Sequence, residues 1–502
     1  MPSVFTHEFN TPAYKGKVSF DTGIFINGKF VDGSDRTTID VINPSESTGK
    51  VITAVSEATP KDVDTAVDVA QKAFDTVWGL NCPGTRRSIL LGNFARLLEE
   101  NADELAALES LDNGKTFHWA RNADVAASID CIRYYAGWAD KISGQVQETS
   151  EAKLTYTRHE PIGVVGQIIP WNFPLLMLAW KLGPALATGN SIVLKPSEFT
   201  PLTAIRVCHL INEAGFPPGV VNILTGYGNT VGNAISHHMK IEKIAFTGST
   251  LVGRKVMEAS SKSNLKDVTL ELGGKSPSII FDDADLDQAV KWAAFGIFWN
   301  HGQTCCAGSR IFVQEGIYDE FLKRFTEKAR SIKVGDPFHP QTGQGPQVSG
   351  IQFNRIMGYI QSGKEAGAKV ETGGERHGTE GYFIQPTIFT NTSPDMKIVQ
   401  EEIFGPVGVV IKFKDEDDVV RHANDTFYGL AAAVFTPNLN RAIRTAHRLK
   451  AGTAWVNCIN QFDSSVPFGG FKQSGIGREM GEYALHHYTA IKSVHINLGI
   501  KL

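Results

Sequence analysis

Residues 23–33 read Gly-Ile-Phe-Ile-Asn-Gly-Lys-Phe-Val-Asp-Gly, two apolar β-favouring runs around Asn27-Gly28. Both turn residues tolerate positive φ, so this pattern predicts a tight hairpin. Thr59-Pro60 then supplies a cap and first turn for a helix that puts Val67, Ala70 and Phe74 on one face. Helical periodicity continues over about residues 85–112. From Gly163 the period changes. GVVGQII, SIVLK, VVNILTG, KIAFTG, VTLEL and SIIF are short β-rich runs separated by longer helical or loop segments, the alternation of a mostly parallel sheet. Asp285 opens an amphipathic helix through Phe298, and Gly302-Gln303-Thr304-Cys305-Cys306 lies at or just beyond its end. Three prolines and heavy Gly and Gln content predict a long surface loop over Gly335 to Gly350. The fold class is therefore α/β. At roughly 150 residues per domain, a chain of 502 residues has room for several domains.

Charge and composition narrow the partners. The 49 Lys and Arg residues against 53 Asp and Glu give a net charge of -4 with no basic run, so electrostatic capture of nucleic acid or an anionic membrane is not expected. The longest apolar stretch, around Pro170 to Trp180, is broken by Asn172 and followed by Lys181; it falls short of the ~18–20 apolar residues of a membrane span. Six cysteines, two of them adjacent, match neither a disulfide framework nor a zinc-ligand pattern. The first twenty residues lack an apolar signal core and contain Glu8 but no Arg, and the C-terminal Ile500-Lys501-Leu502 is not a peroxisomal tripeptide. A cytoplasmic, reducing location is the expectation.

Three segments could carry chemistry. Taken alone, Cys305 is better read as a small buried hydrophobe. Its setting between Gly302-Gln303 and Ala307-Gly308 instead permits the close approach that thiol chemistry needs. Glu271, flanked by Leu270 and Leu272 at the end of a β run, would have its pKa raised by burial toward that of a general base; an exposed Glu paired with Lys275 is the alternative. Asn172, in Pro170-Trp171-Asn172-Phe173-Pro174, could serve as an oxyanion donor or as an ordinary turn former. Two glycine clusters follow β runs. Gly226-Tyr227-Gly228 with Gly232 resembles a dinucleotide fingerprint one residue too long. Phe246-Thr247-Gly248-Ser249, with Gly253 beyond, could open a helix under a phosphate. Either could be a plain strand-to-helix turn. Lys195-Pro196-Ser197-Glu198 follows a strand, where Glu198 could accept from ribose hydroxyls. His237-His238 and His486-His487 lack metal-ligand spacing and read as surface residues, so no metal is expected.

Two strings, LELGGKS at 270–276 and FWNHGQTC at 298–305, make the chain resemble the NAD-linked aldehyde dehydrogenases of the tetrameric cytosolic and mitochondrial class. The resemblance runs over nearly the whole chain. It implies a modified Rossmann NAD-binding domain over residues 11–138 and 162–273, a catalytic α/β domain over 274–473, and a small β oligomerisation arm over 143–161 and 489–498. It makes Cys305 the nucleophile, Glu271 the general base, and Asn172 with the Cys305 N–H the oxyanion donors. Lys195, Ser197 and Glu198 would hold the adenosine ribose, and Gly248, Ser249 and Gly253 the pyrophosphate. Glu402 and Phe404 would take the nicotinamide ribose. Ile168, Pro170, Trp171, Gly228, Gly232, Phe246, Leu272 and Gln352 complete the implied NAD site.

Phe173, Met177, Trp180, Trp299, Cys306 and Phe462 would wall an aldehyde tunnel, with Lys181 and Glu479 behind the site. This large apolar set suggests small aliphatic or aromatic aldehydes over charged ones. Thr304 stands where some relatives carry another cysteine. Glu198 implies NAD, with NADP a weaker alternative because Lys195 lies beside it. A homotetramer is implied by the family alone. A thiol acyl acceptor in place of water, a cysteine hydrolase without cofactor, and a catalytically silent relative are the rival readings. Glu271 argues against the first, the glycine clusters with Glu198 and Glu402 against the second, and the intact set of matched positions against the third.

Overall fold

The computed structural model describes residues 2–46 and 50–502. Two large sheets organise it. The first has eight strands in the order Gly475–Ile476, Asp267–Glu271, Lys243–Thr247, Val164–Ile168, Ser191–Lys195, Val221–Ile223, Ile24–Ile26 and Lys29–Val31. The five from 267–271 to 221–223 run parallel, and antiparallel strands close both edges. The second has seven strands, in the order Lys369–Thr372, Thr387–Thr390, Val407–Phe413, Arg310–Gln314, Pro277–Ile280, Ala431–Phe435 and Thr453–Val456. It is parallel except at the 369–372 edge.

The β-rich runs of the sequence are these strands. Those at 164–168, 191–195, 243–247, 277–280 and 431–435 are buried at every position, as strands covered on both faces are. The Asn27-Gly28 hairpin forms with φ of +54° and +75° at its two turn residues. Thr59 caps the helix Pro60–Thr76 in a reciprocal box with Asp62. The periodic segment after it becomes the helices Gly84–Glu100 and Ala102–Asn113.

A third sheet stands apart. Thr489–Asn497 pairs along its full length with Lys153–Pro161, which pairs with Val146–Ser150. Strand 489–497 is exposed at most of its positions. An N-terminal hairpin, Val4–Asn10 with Lys15–Asp21, seats Phe5, Phe9, Val18 and Phe20 in a core cluster with Leu108 and Phe338. Among the described residues no helix is long and apolar enough to cross a membrane.

The 335–350 segment differs from its expectation. It is irregular, but Gln344–Val348 are buried, not on the surface. The Val348 N–H donates to Gln303 Oε1 at 3.1 Å and Gln344 Nε2 to the Ile384 carbonyl at 2.6 Å. A Cβ at Gly345 would sit 2.0 Å from the Gly114 carbonyl oxygen, so only glycine lets the loop pass here. The loop therefore lies against the segment that carries Cys305.

Candidate active site

The helix Leu286–Phe298 is capped by Asp285, whose carboxylate accepts from the Gln288 N–H at 3.1 Å. Beyond Phe298 the chain enters a tight turn in which Asn300, His301 and Gly302 all have left-handed φ, 48°, 60° and 70°. Two consecutive non-glycine residues in this region are strained, and such strain persists only where surroundings enforce it. Here the Gln303 N–H bonds to the Asn300 carbonyl at 2.9 Å, and Asn300 Nδ2 donates to the carbonyls of Asn172 (3.0 Å) and Gln303 (3.1 Å). A Cβ on Gly302 would lie 1.9 Å from the Gly405 carbonyl oxygen. The turn delivers Cys305 partly exposed and Cys306 fully buried, with the Cys306 thiol on Asn460 Oδ1 at 3.3 Å. A hydrogen bond with the Cys306 thiol, burial, and the Glu271 and Glu402 carboxylates push the Cys305 thiol well above the ordinary range.

Glu271 ends the strand Asp267–Glu271 and is 3% exposed. Its Oε1 has no hydrogen-bond partner among the described residues. Burial raises its pKa to about 8, against the opposing pull of Lys181 and of a hydrogen bond from the Cys305 thiol. Lys181 lies fully buried in the helix Pro174–Ala187. It donates to Thr247 Oγ1 at 2.7 Å and to Glu479 Oε1. Asn172 lies in the loop that starts this helix. Its Nδ2 donates one N–H to the Gln303 carbonyl at 2.9 Å, and a second amide hydrogen remains to offer.

Cys305, Glu271 and Asn172 line one cavity of about 900 Å³. Part of its wall is aromatic: the Phe173 and Trp299 rings lie 5.2 Å apart, Trp180 and Phe462 6.1 Å, and Met177 and Cys306 fill the gaps. Another part is polar. Lys195 Nζ donates to the carbonyls of Pro196 (2.8 Å) and Gly226 (2.7 Å) and to Glu198 Oε2 (3.3 Å), and its burial lowers its pKa. Ser249 caps the helix Thr250–Lys262, and the Gly248 N–H bonds to the Glu271 carbonyl at 3.0 Å. Ile168, Pro170, Trp171, Ser197, Gly228, Gly232 and Phe246 also face the space. Gly228–Gly232 form one wide helical turn, which accounts for a fingerprint that is one residue too long.

Gln352 Nε2 donates to the Phe404 carbonyl at 2.8 Å, and the Phe404 ring stands perpendicular to Trp171 at 5.2 Å. Glu402 Oε1 accepts from the Gly274 N–H at 3.0 Å, and burial raises its pKa to about 7.

Two expected cofactor residues do not reach the cavity. Gly253 and Leu272 pack against each other behind its wall, where a Cβ on Gly253 would meet Leu272 Cδ2 at 2.7 Å. Lys181 and Glu479 sit behind Glu271. The sequence reading missed Leu176 and Phe468 on the apolar wall, and Lys255, Val256 and Arg355 elsewhere on the lining. Leu176 was findable, since it shares a helix face with Phe173 and Trp180 at three- and four-residue spacing. Phe468 comes from a distant loop and reaches Trp180 at 5.8 Å and Phe462 at 5.2 Å. Among the described residues no cluster of His, Cys, Asp or Glu could hold a metal ion. His237 and His486 are exposed, while His238 and His487 are half-buried; His487 Nε2 accepts from the Arg478 N–H at 3.1 Å.

The aldehyde dehydrogenase family model matches residues 30–494. The chain is 70% identical over 502 residues, the whole of both chains, to an aldehyde dehydrogenase of Agaricus bisporus. It is 60% identical over 99% of both chains to one of Emericella nidulans. The NAD+ complex of the Bacillus cereus aldehyde dehydrogenase superposes with a TM-score of 0.94 at 49% identity, covering 95% of this chain and 97% of that one. The sulfur, carboxylate and amide that converge on one cavity thus stand on a scaffold shared from end to end with these relatives, and the protein belongs to the aldehyde dehydrogenase family.

Proposed function

We propose that the protein oxidises small aliphatic or aromatic aldehydes to carboxylic acids with NAD, through a thioester on Cys305. The observation that carries this is the meeting, in one cavity, of a partly exposed thiol, a buried carboxylate with one oxygen free of any partner among the described residues, and a side-chain amide. The Cys305 thiol gives up its proton to solvent, and the thiolate adds to the aldehyde carbon. The new alkoxide accepts from Asn172 Nδ2 and the Cys305 N–H, donors of a kind worth about 2.7–4 kcal/mol each. The carbon-bound hydrogen then leaves with its electron pair, giving a thioester. Glu271 takes a proton from water, whose oxygen attacks the thioester; the C–S bond breaks, and the acid departs with Cys305 restored.

The polar lining fits NAD. The helix Thr250–Lys262 begins at Gly248-Ser249 on the cavity wall, where N-terminal amides suit a pyrophosphate. Lys195, Ser197 and Glu198 would hold the adenosine ribose, and Glu402 with Phe404 the nicotinamide ribose. NAD, when bound, supplies the hydride acceptor. Glu198 disfavours a 2′-phosphate, while Lys195 beside it leaves NADP as the weaker alternative.

Phe173, Leu176, Met177, Trp180, Phe462 and Phe468 carry no charge, which favours small apolar aldehydes over those with a distal carboxylate. In this reading the eight-stranded sheet is the core of the dinucleotide-binding domain and the seven-stranded sheet that of the catalytic domain. The exposed strand Thr489–Asn497 belongs to an arm that assembles a homotetramer. All six cysteines are free, which supports a reducing, cytoplasmic setting.

The test is NADH formation from acetaldehyde and NAD. The parent should turn over steadily, and Glu271→Gln should stop at about one NADH per active site, because acylation survives while deacylation stalls. Undiminished turnover in the variant would remove the base assignment.

A further inference from the structure

Asn172 is held by groups that the reaction itself does not use. The helix Ala102–Asn113 ends at Gly114, and three side chains from this end grip the loop before the helix Pro174–Ala187 and that helix's first turn. Asn113 Nδ2 donates to the Trp171 carbonyl at 2.7 Å, Lys115 Nζ donates to the Asn172 carbonyl at 3.0 Å, and Glu109 Oε2 accepts from the Leu175 N–H at 3.2 Å. From the other side, Asn300 of the left-handed turn donates to the same Asn172 carbonyl at 3.0 Å.

The Lys115 ammonium is 1% exposed. It bonds to Asp124, lies 3.5 Å from Glu109 Oε1, and sits 4.3 Å from the Phe173 ring centroid. A buried charge cluster of this kind is weak evidence for stability, because desolvation consumes most of the attraction. A role in fixing geometry explains it better.

On the reading that Asn172 is an oxyanion donor, we infer that Lys115 and Asn300 are positioning residues, which clamp the Asn172 backbone carbonyl from two elements so that its side-chain amide faces the carbon attacked by Cys305. Neither touches substrate or cofactor. Both act through Asn172. A misplacement of about 1 Å in such a donor can cost on the order of a hundredfold in rate.

A double-mutant cycle on the full-length enzyme tests this. Lys115→Met strands Asp124 in the interior and risks the fold, so Asn300→Gly is made beside it; glycine accepts the left-handed backbone and removes the amide bonded to Asn172 and to Gln303, the second loss being one that Cys305 alkylation reads. In the parent background each change should lower kcat/KM for an aldehyde by tenfold or more. In the Asn172→Ala background each should cost less than twofold, because the group it positions is already gone. Iodoacetamide alkylation of Cys305, which builds no oxyanion, should stay within twofold of the parent throughout.

Equal losses in both backgrounds, or alkylation that falls along with kcat/KM, would overturn the clamp and leave an ordinary structural role. Failure of the underlying reading has its own signature: Asn172→Ala alone would then retain the parent rate.

Discussion

Glu271 offers a pH test whose size follows from its setting. Burial without a hydrogen-bond partner on Oε1 lifts its pKa from 4.5 to about 8. On the proposed mechanism Glu271 is the base for thioester hydrolysis, and as that base it must be ionised. At pH 7 about one-eleventh of such a group is ionised and at pH 9 about ten-elevenths, so the deacylation rate should rise roughly tenfold between them. An exposed glutamate would be fully ionised by pH 7 and would give a flat profile over the same range.

The assay mixes enzyme, saturating NAD and aldehyde in a stopped-flow instrument and follows NADH. The burst reports acylation, and the steady phase after it reports deacylation. Cys305 also titrates and faces the same carboxylate, so the two pKa values belong to the pair. Glu271→Gln separates them, because the variant stops after its burst and any inflection left in that burst belongs to Cys305. The ionised carboxylate also raises the Cys305 pKa, so the variant should alkylate faster than the parent at pH 9. A steady phase in the parent that is flat from pH 7 to 9, or slower alkylation in the variant, would refute the reasoning.

The same burial has a stability consequence. A carboxyl whose folded pKa lies above its unfolded value adds stability below about pH 4.5 that is lost as pH rises through about 8, so Glu271→Gln should raise Tm at pH 9 and not at pH 4, read by calorimetry. Glu198→Gln should shrink the ratio of kcat/KM for NAD over NADP, since the carboxylate beside Lys195 no longer repels a 2′-phosphate; an unchanged ratio in coupled assays would relieve Glu198 of that role. Gly302→Ala would force a Cβ to 1.9 Å from the Gly405 carbonyl at a φ of +70°. It should cost several kcal/mol in denaturant unfolding and displace Cys305, read as lost iodoacetamide labelling. Phe468→Ala opens the aromatic wall beside Trp180 and Phe462 and should favour bulkier aldehydes in a kcat/KM panel.

What the sequence disclosed follows from how local each feature is. The hairpin at Asn27-Gly28, the cap at Thr59 and the buried strands are written in turn chemistry and short β-rich apolar runs, and each stands where expected. Cys305 and Glu271 were legible because each sits in a short string with its own logic: a thiol among small residues, a carboxylate among leucines. Gly253 and Leu272 were placed in the cofactor site by resemblance and lie one layer behind it, because a motif marks a segment and not the direction of each side chain in it.

The clamp around Asn172 had no signature in the sequence. Glu109, Lys115 and Asp124 look like solvent-facing residues, yet the helix Ala102–Asn113 is buried from Leu105 to its end and shows no polar face from which to infer their direction. Their pairing spans the loop at Gly114, and their target lies about sixty residues further on. Likewise Asn300-His301-Gly302 are residue types that tolerate positive φ, but three in succession are held there by contacts with Asn172, Gln303 and Gly405 that no local pattern shows. On the proposed mechanism the reacting atoms are thus encoded locally and their alignment non-locally. A change at Lys115 or Asn300 leaves both diagnostic strings chemically complete at Cys305 and Glu271, yet on this argument it would slow the reaction they perform.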